Sequence, residues 1–249
     1  MGFGLTAVLP AWLCRRTVGG AAEQSSRWQA FRKAALAAPY YQRHPIARAS
    51  VVELASFYSH HAEFLNPVSE IPSPTPLSAV WDPPPRTVAV KPWFRLLPPV
   101  EILLEPAQFT GQDCEVLAAP VGTLMSLASR RPLPPSPGYG VIAFTGISQQ
   151  PLIPGLRDRL WTAWRTPVFE QFRGFQGELL ASECEAFSGL HFDPDVAVWE
   201  ERSRDNGELL VTSLANLRHP AWRLATGYRG RVDHSSCDCG SVLPRIIWE

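Results

Sequence analysis

Residues 141–169 carry the pattern that most restricts what this chain can fold into. Val141, Ile142, Ala143 and Phe144 form an unbroken apolar run, as expected of a strand covered on both faces. Pro154 opens a helix with Leu156, Leu160, Ala163 and Trp164 on its inner side, proline being tolerated at a first helical position because no intrahelical bond is lost there. Pro167, Val168 and Phe169 then begin a second strand. Strand, helix, strand in this order requires a parallel pair with a right-handed crossover. The predicted fold class is α/β, a mixed sheet with crossover helices.

The flanks extend this unit unequally. Ser25 or Ser26 is placed to cap a helix with Trp28, Phe31 and Ala35 on one face, closed by Pro39. Ser50 and Glu53 have capping-box spacing for a second helix with Val51, Leu54, Tyr58 and Leu65 inward. His60 and His61 are adjacent on it and point in different directions, so they read as solvated or capping residues. Most of the 25 prolines fall between Pro67 and Pro137, which makes 66–86 a connecting loop. Short β-rich runs follow at 87–90, 100–104 and 116–118, then an apolar helix around Leu124, Leu127 and Ala128. Beyond 178 the pattern changes to short strands at 179–182, 196–200 and 208–213, with Asp205, Asn206 and Gly207 as a tight turn. The expected organisation is N-terminal helices and a Pro-rich connection over 23–113, an α/β core over 114–178, and a small β subdomain over 179–249. Residues 1–22 carry no readable pattern.

Composition excludes several classes. With 23 basic and 23 acidic residues in 249 there is no electrostatic footprint for nucleic acid. No apolar run approaches the ~20 residues of a membrane span. The apolar N-terminus lacks the basic residues of a secretory signal. Gly2 and Thr6 fit a myristoylation pattern too short to be selective. Lys33 and Lys91 are the only lysines, a bias expected of GC-rich, bacterial coding. Five unevenly spaced cysteines do not form a secreted disulfide framework, so the expected compartment is reducing and cytoplasmic.

Cys184, His191, Cys237 and Cys239 are donors suited to tetrahedral zinc. The spacing C-x6-H then C-x-C is unusual, and a turn at Asp238 and Gly240 lets the last two thiolates face one point. Buried free thiols with a satisfied histidine, or a disulfide, are the competing readings, and His234 is a possible substitute for His191. Cys14 and Cys114 are expected to be unligated. Glu183 and Glu185, and Asp193 and Asp195, alternate as on a solvated strand edge. Ser182 and Ser188 lack a nucleophile-elbow context, and no catalytic triad can be drawn.

The order of these pieces resembles the phenylacetate-CoA ligase branch of the adenylate-forming enzymes, which activate a carboxylate as its acyl adenylate and pass it to coenzyme A. Residues 32–44 (RKAALAAPYYQRH) resemble that group's opening helix, and 114–128 its substrate-domain strand and helix. The runs 151–169, 181–192, 207–227 and 237–246 continue the match in order. Members of the branch often carry cysteines at the positions of the proposed zinc ligands, which supports a structural zinc with no open coordination position.

Departures from the pattern bear on activity. The Ser/Thr/Gly-rich loop that holds the ATP phosphates has no counterpart, since 66–113 is Pro-rich and much of the usual domain is missing. The family's Tyr-Gly-x-Thr-Glu becomes Phe172, Arg173, Gly174, Phe175 and Gln176, and Gln176 has no charge to balance magnesium. The Gly-Gly-Glu turn that contacts adenine becomes Ser148, Gln149 and Gln150. Tyr228 replaces the aspartate that binds the ribose diol, and the domain bearing the catalytic lysine would begin about where the chain stops, at Glu249. The resemblance thus implies a relative that does not bind ATP and magnesium and does not adenylate. It would bind an acyl or aryl group, CoA or acyl-CoA, or a carrier protein, or act as an accessory subunit with a protein partner or a second copy. The alternatives are an acyltransferase using a preformed acyl-CoA or acyl adenylate, and an ATP-dependent ligase with an atypical nucleotide site. By the same resemblance Phe144, Gly146, Ser148, Phe172, Phe175 and Gly177 would rim the acyl and nucleotide cleft, against the reading that they are ordinary core and turn residues. The sequence identifies no catalytic residue.

Overall fold

The structure, a computed structural model, describes residues 21–38, 41–42, 87–90, 101–103, 107, 109, 115–147, 149–175, 177–202 and 207–249. The helix expected over Ser50 to Leu65 with His60 and His61, the loop 66–86, Cys14, Cys114, Ser148, Gln176, Asp205 and Asn206 lie outside these residues.

The described elements in chain order are α1 (Ala21–Ala37), β1 (Thr87–Val90), β2 (Glu101–Leu103), β3 (Val116–Pro120), α2 (Val121–Ala128), β4 (Gly140–Gly146), α3 (Pro154–Trp164) and β5 (Val168–Arg173). They are followed by β6 (Leu179–Glu183), β7 (Leu190–His191), β8 (Ala197–Glu201), β9 (Glu208–Ser213), β10 (Leu224–Asp233) and β11 (Arg245–Trp248). All eleven strands belong to one sheet in the order β2-β1-β3-β4-β5-β6-β7-β11-β10-β9-β8. From β2 to β5 neighbours are parallel. From β5 onward every pairing is antiparallel.

The strand–helix–strand expectation is met by β4, α3 and β5, with β4 and β5 paired in parallel from Val141↔Val168 to Gly146↔Arg173. All seven residues of β4 are buried, which explains its unbroken apolar run. One face of the parallel strands carries Leu117, Val141, Ala143 and Val168 against Leu124, Leu127, Leu160 and Trp164 of α2 and α3. Burial of each large apolar side chain there contributes roughly 1.5–3 kcal/mol.

The N-terminal helix packs far along the chain. Phe31 and Ala35 are fully buried, and Trp28 and Phe31 meet Trp222 at 5.2 and 5.7 Å between ring centroids. The Trp222 amide donates to Tyr41 Oη at 2.7 Å. The expected N-cap at Ser25 or Ser26 is corrected, because the helix already runs from Ala21. Ala21, Ala22, Glu23 and Gln24 have high helix propensity, and the helix extends through them with the serines inside it.

Three strands were expected after residue 178 and six are present. The two-residue β7, the long β10 and β11 are the additions, and β10 joins the sheet's two arms. Its first half pairs with β9 and its last four residues with β11, with a bulge between Ala225 and Arg229. A bulge bends the strand and re-aims its side chains, and here it turns Tyr228 toward the end of β4.

Helix α3 ends on Arg165 in the left-handed region, φ 53°, its amide bonded to Trp161 O at 2.7 Å. A side chain there costs about 1 kcal/mol, which glycine avoids. Arg165→Gly should therefore raise the melting temperature by about 2–4 °C in a thermal scan.

Candidate functional site

Four donor side chains meet where β6, β7 and the β10–β11 loop converge. Cys184 directly follows β6, His191 closes β7, and Cys237 and Cys239 lie between β10 and β11. His191 pairs with Ser182 on one side and Arg245 on the other, which locks its backbone between the segments that bear the cysteines. The four donor atoms lie within 4.8 Å of one another. Cys184 Sγ is 3.7 Å from Cys237 Sγ, and Cys239 Sγ is 3.5 Å from His191 Nε2. Ligands on tetrahedral zinc, at about 2.3 Å for sulfur and about 2.0–2.1 Å for nitrogen, would stand about 3.8 Å apart for S···S and about 3.5 Å for S···N. The donor set fits this ion, and these two separations match it. All three cysteines are free thiols, and His234 is exposed outside the cluster.

The surroundings orient these ligands. His191 Nδ1 donates to Leu243 O at 3.0 Å, which turns Nε2 toward Cys239. The Gly240 amide returns to Cys237 O at 2.9 Å with φ 82° at Gly240, and this tight turn brings both thiols of C-x-C to one point. Ser188 Oγ lies 3.2 Å from Cys237 Sγ and accepts from Arg245 Nη1 at 2.8 Å. Arg245 is itself paired with Asp233 at 2.9 Å. Burial alone would raise the Cys237 thiol, but bonds from Ser188, the Cys239 amide and His191 outweigh it and bring it down to about 6. Burial would lower His191, yet its bonds to Cys184 and Cys237 carry it to about 9. The centre thus pairs a Cys237 thiolate with a protonated His191, and a metal would bind there by displacing the His191 proton.

The positions proposed for the acyl and nucleotide cleft lie at the other end of the β5–β6 ladder. Because β6 runs antiparallel to β5, Cys184 is beside the start of β5, whereas Arg173 pairs with Leu179 at its far end. Phe144 and Phe172 are fully buried, Gly146 and Gly177 are buried, and Phe175 is half-buried. Phe172 is packed by Trp199, Tyr228 and Trp248 at 5.1, 5.3 and 5.7 Å. Tyr228 Oη shares its one proton between the carbonyls of Gly146 and Gln149, at 3.3 and 3.2 Å. Burial and the nearby Glu170 carboxyl push its phenol above the ordinary range, so it stays neutral.

Arg173 is wholly buried, with its guanidinium carbon 5.5 Å from the Phe144 ring centroid and Nη1 bonded to Gly177 O at 2.9 Å. Burial lowers it to about 9 while the charge of Glu178 opposes the shift, so it remains a cation at neutral pH. Glu178 accepts from Ser213 Oγ at 3.1 Å. The Glu178 carboxyl lies directly over Gly174, in the space a Cβ there would take. Sequence reasoning missed this buried pair, although two opposite charges around Gly174 and Gly177 are a visible signal.

A small cavity of about 320 Å³ opens at the carboxyl ends of β3 and β4, formed mainly by Pro120, Gly122, Thr123, Ser126, Gln149 and Gln150. This is the usual ligand crevice of an open α/β sheet, and its lining holds hydroxyls and amides but no charged side chain.

The expectation of a solvated acidic edge is corrected at Glu183 and Asp195, which are 6% and 4% exposed. Glu183 takes a two-pronged bond from Arg157 of α3 at 2.8 and 3.0 Å and accepts the Glu170 amide at 2.9 Å. Burial is the main reason its carboxyl lies above the usual range. Glu170 accepts from Thr145 Oγ1 at 2.6 Å and Trp248 Nε1 at 3.3 Å, and burial, helped by the Glu183 charge, raises it to about 7.

No protein-family model matches the chain, and no curated protein matches it. Among solved structures it is similar to 2-hydroxyisobutyryl-CoA ligase with 2-HIB-AMP and CoA in the thioesterification state, at TM-score 0.64 and 13% identity over 93% of this chain and 68% of that one. An open conformation of the same ligase gives TM-score 0.62 and 13% identity over 90% and 67%. The postadenylation state with 2-HIB-AMP gives 0.64 and 13% over 91% and 66%. The chain thus spans about two thirds of that ligase's length. The fold is that of the N-terminal part of adenylate-forming enzymes.

Two outcomes follow from these sites. Elemental analysis of native protein should find one zinc per chain, and Cys184→Ala should lose it with a fall in melting temperature of about 10 °C or more. Glu170 holds its proton more tightly when folded than its ordinary 4.5 would allow. Its contribution is present below about pH 4.5 and is lost as pH rises through about 7, a loss of about 3 kcal/mol. Glu170→Gln should remove that loss, so urea midpoints of the two proteins diverge between pH 5 and 8 with the variant more stable at the upper end.

Proposed function

We propose that this chain is a divergent, shortened relative of the phenylacetate-CoA ligases that binds an acyl or aryl group, as the free acid or as its CoA or carrier-protein thioester, without forming an adenylate. The observation that carries the reading is the lock between Tyr228 and the carbonyls of Gly146 and Gln149. It fills the position that the resemblance assigns to a ribose-binding carboxylate with a neutral ring already bonded to the chain. Arg173 and Glu178 satisfy each other's charge at the position of the nucleotide signature. The described lining of the β3–β4 cavity has no cation to balance a triphosphate.

Zinc, in this reading, would be held by Cys184, His191, Cys237 and Cys239. Bound by four protein ligands it supplies a structural cross-link rather than an activated water. Three free thiols in one cluster suit a reducing compartment, and we place the protein in the cytoplasm. No described helix is long and apolar enough to cross a membrane.

ATP–pyrophosphate exchange by the purified chain with a panel of aliphatic and aryl carboxylates should stay at background, while calorimetry with CoA and acyl-CoAs should show saturable binding. Exchange above background would overturn the proposal in favour of a ligase with an atypical nucleotide site. Turnover of an acyl-CoA without ATP would assign an acyltransferase instead.

A further inference from the structure

A second and larger cavity, of about 550 Å³, lies on the helical layer, away from the metal ligands and from the β3–β4 crevice. Its floor is apolar: Met125 and Ala128 come from the last turns of α2, and Ala163 from α3, all packed against the buried core beneath. Leu133, 36% exposed, adds an apolar wall. The volume falls within the range of pockets that take small organic ligands.

The polar groups on its rim define the ligand's charge. Arg131 and Arg159 are both exposed there, with Asp158 as the one carboxylate. Among the described residues neither arginine is ion-paired with Asp158 or with another acid. Asp158 and Arg159 are adjacent on α3, so their side chains diverge by about a quarter-turn. Ser129 Oγ is engaged with Met125 O at 2.8 Å, whereas Thr162 presents an exposed hydroxyl on the wall. Two guanidiniums against one carboxylate leave a surplus of one positive charge, which matches a monoanion rather than a polyphosphate.

We propose that this groove between α2 and α3 is a binding site for an amphipathic carboxylate, with its apolar chain or ring on Met125, Ala128 and Ala163 and its head group toward Arg131, Arg159 and Thr162. Guanidinium and carboxylate match as fork to fork, and the apolar body removes the exposed floor from water. The site stands independently of the proposed acyl cleft, with which it shares no lining residue.

Dodecanoate, titrated by calorimetry into the native full chain, should bind saturably at one site. Dodecanol, which lacks the charge, should bind about ten-fold more weakly. The double variant Arg131→Gln/Arg159→Gln changes only exposed side chains and should weaken dodecanoate about ten-fold with an unchanged circular-dichroism spectrum. Thr162→Trp, which fills the groove from an exposed helical position, should abolish binding. No saturable binding, equal binding of dodecanol, or full affinity in both variants would overturn the proposal. The last result would place the ligand elsewhere on the chain, and none of these outcomes bears on whether the β3–β4 crevice binds acyl-CoA.

Discussion

The structure depends on how charge is buried along β5. All six residues of this strand are buried, and three of them, Glu170, Gln171 and Arg173, are polar or charged. An ion cannot be left unpaired in such a place without a cost of several kcal/mol. Gln171 accepts from Arg173 on the same strand at 2.5 Å, and the two charged residues are tied to other elements. Glu170 is held by β4 and β11 through Thr145 and Trp248, and Arg173 by Gly177 and Glu178 in the turn to β6. Glu183, opposite on β6, is held by Arg157 of α3. These bonds join the parallel half of the sheet to the antiparallel half, which two apolar layers alone would allow to slide. They also favour one register, because Thr145, Trp248 and Arg157 each reach a specific buried carboxylate.

The same strand separates the two chemical centres. The four-donor cluster sits beside the start of β5 and the Tyr228 lock beside its end, and the five steps along its six residues, at about 3.3 Å each, put roughly 16 Å between them. A metal at the first centre would therefore stabilise β6, β7 and the β10–β11 loop without reaching a ligand at the second. At the second centre, the aromatic group of Phe172, Trp199, Tyr228 and Trp248 makes a continuous packed layer. That layer uses hydrogen bonds and ring contacts where a nucleotide site would need open, charged donors. The crevice left at β3 and β4 retains the position of a ligand site in this fold with a neutral lining.

Apolar runs and their proline and glycine boundaries were enough to place β1, β2, β3, α2, β4, α3, β5, β6, β8 and β9. They failed at β10, where Gly227, Arg229, Gly230 and Arg231 break any period. That strand holds its conformation through two partners, β9 and β11, distant in sequence. The solvated reading of Glu183 failed for the same reason, since Arg157 lies 26 residues away on a helix and no local pattern announces the pair.

By itself the sequence determined the α/β class and which residues could serve as metal donors, because apolar periodicity and side-chain chemistry are local properties. On the family resemblance alone, Tyr228 and Gln176 would stand where two carboxylates are expected. Only the tertiary structure decided that the four donors come within 4.8 Å of one another, that Arg173 and Glu178 lie buried together, and that Tyr228 is bonded across to β4. Those outcomes rest on strand order and register, which bring residues up to 82 positions apart into hydrogen-bonding distance around Tyr228. They are set by the simultaneous burial of many segments rather than by any one of them.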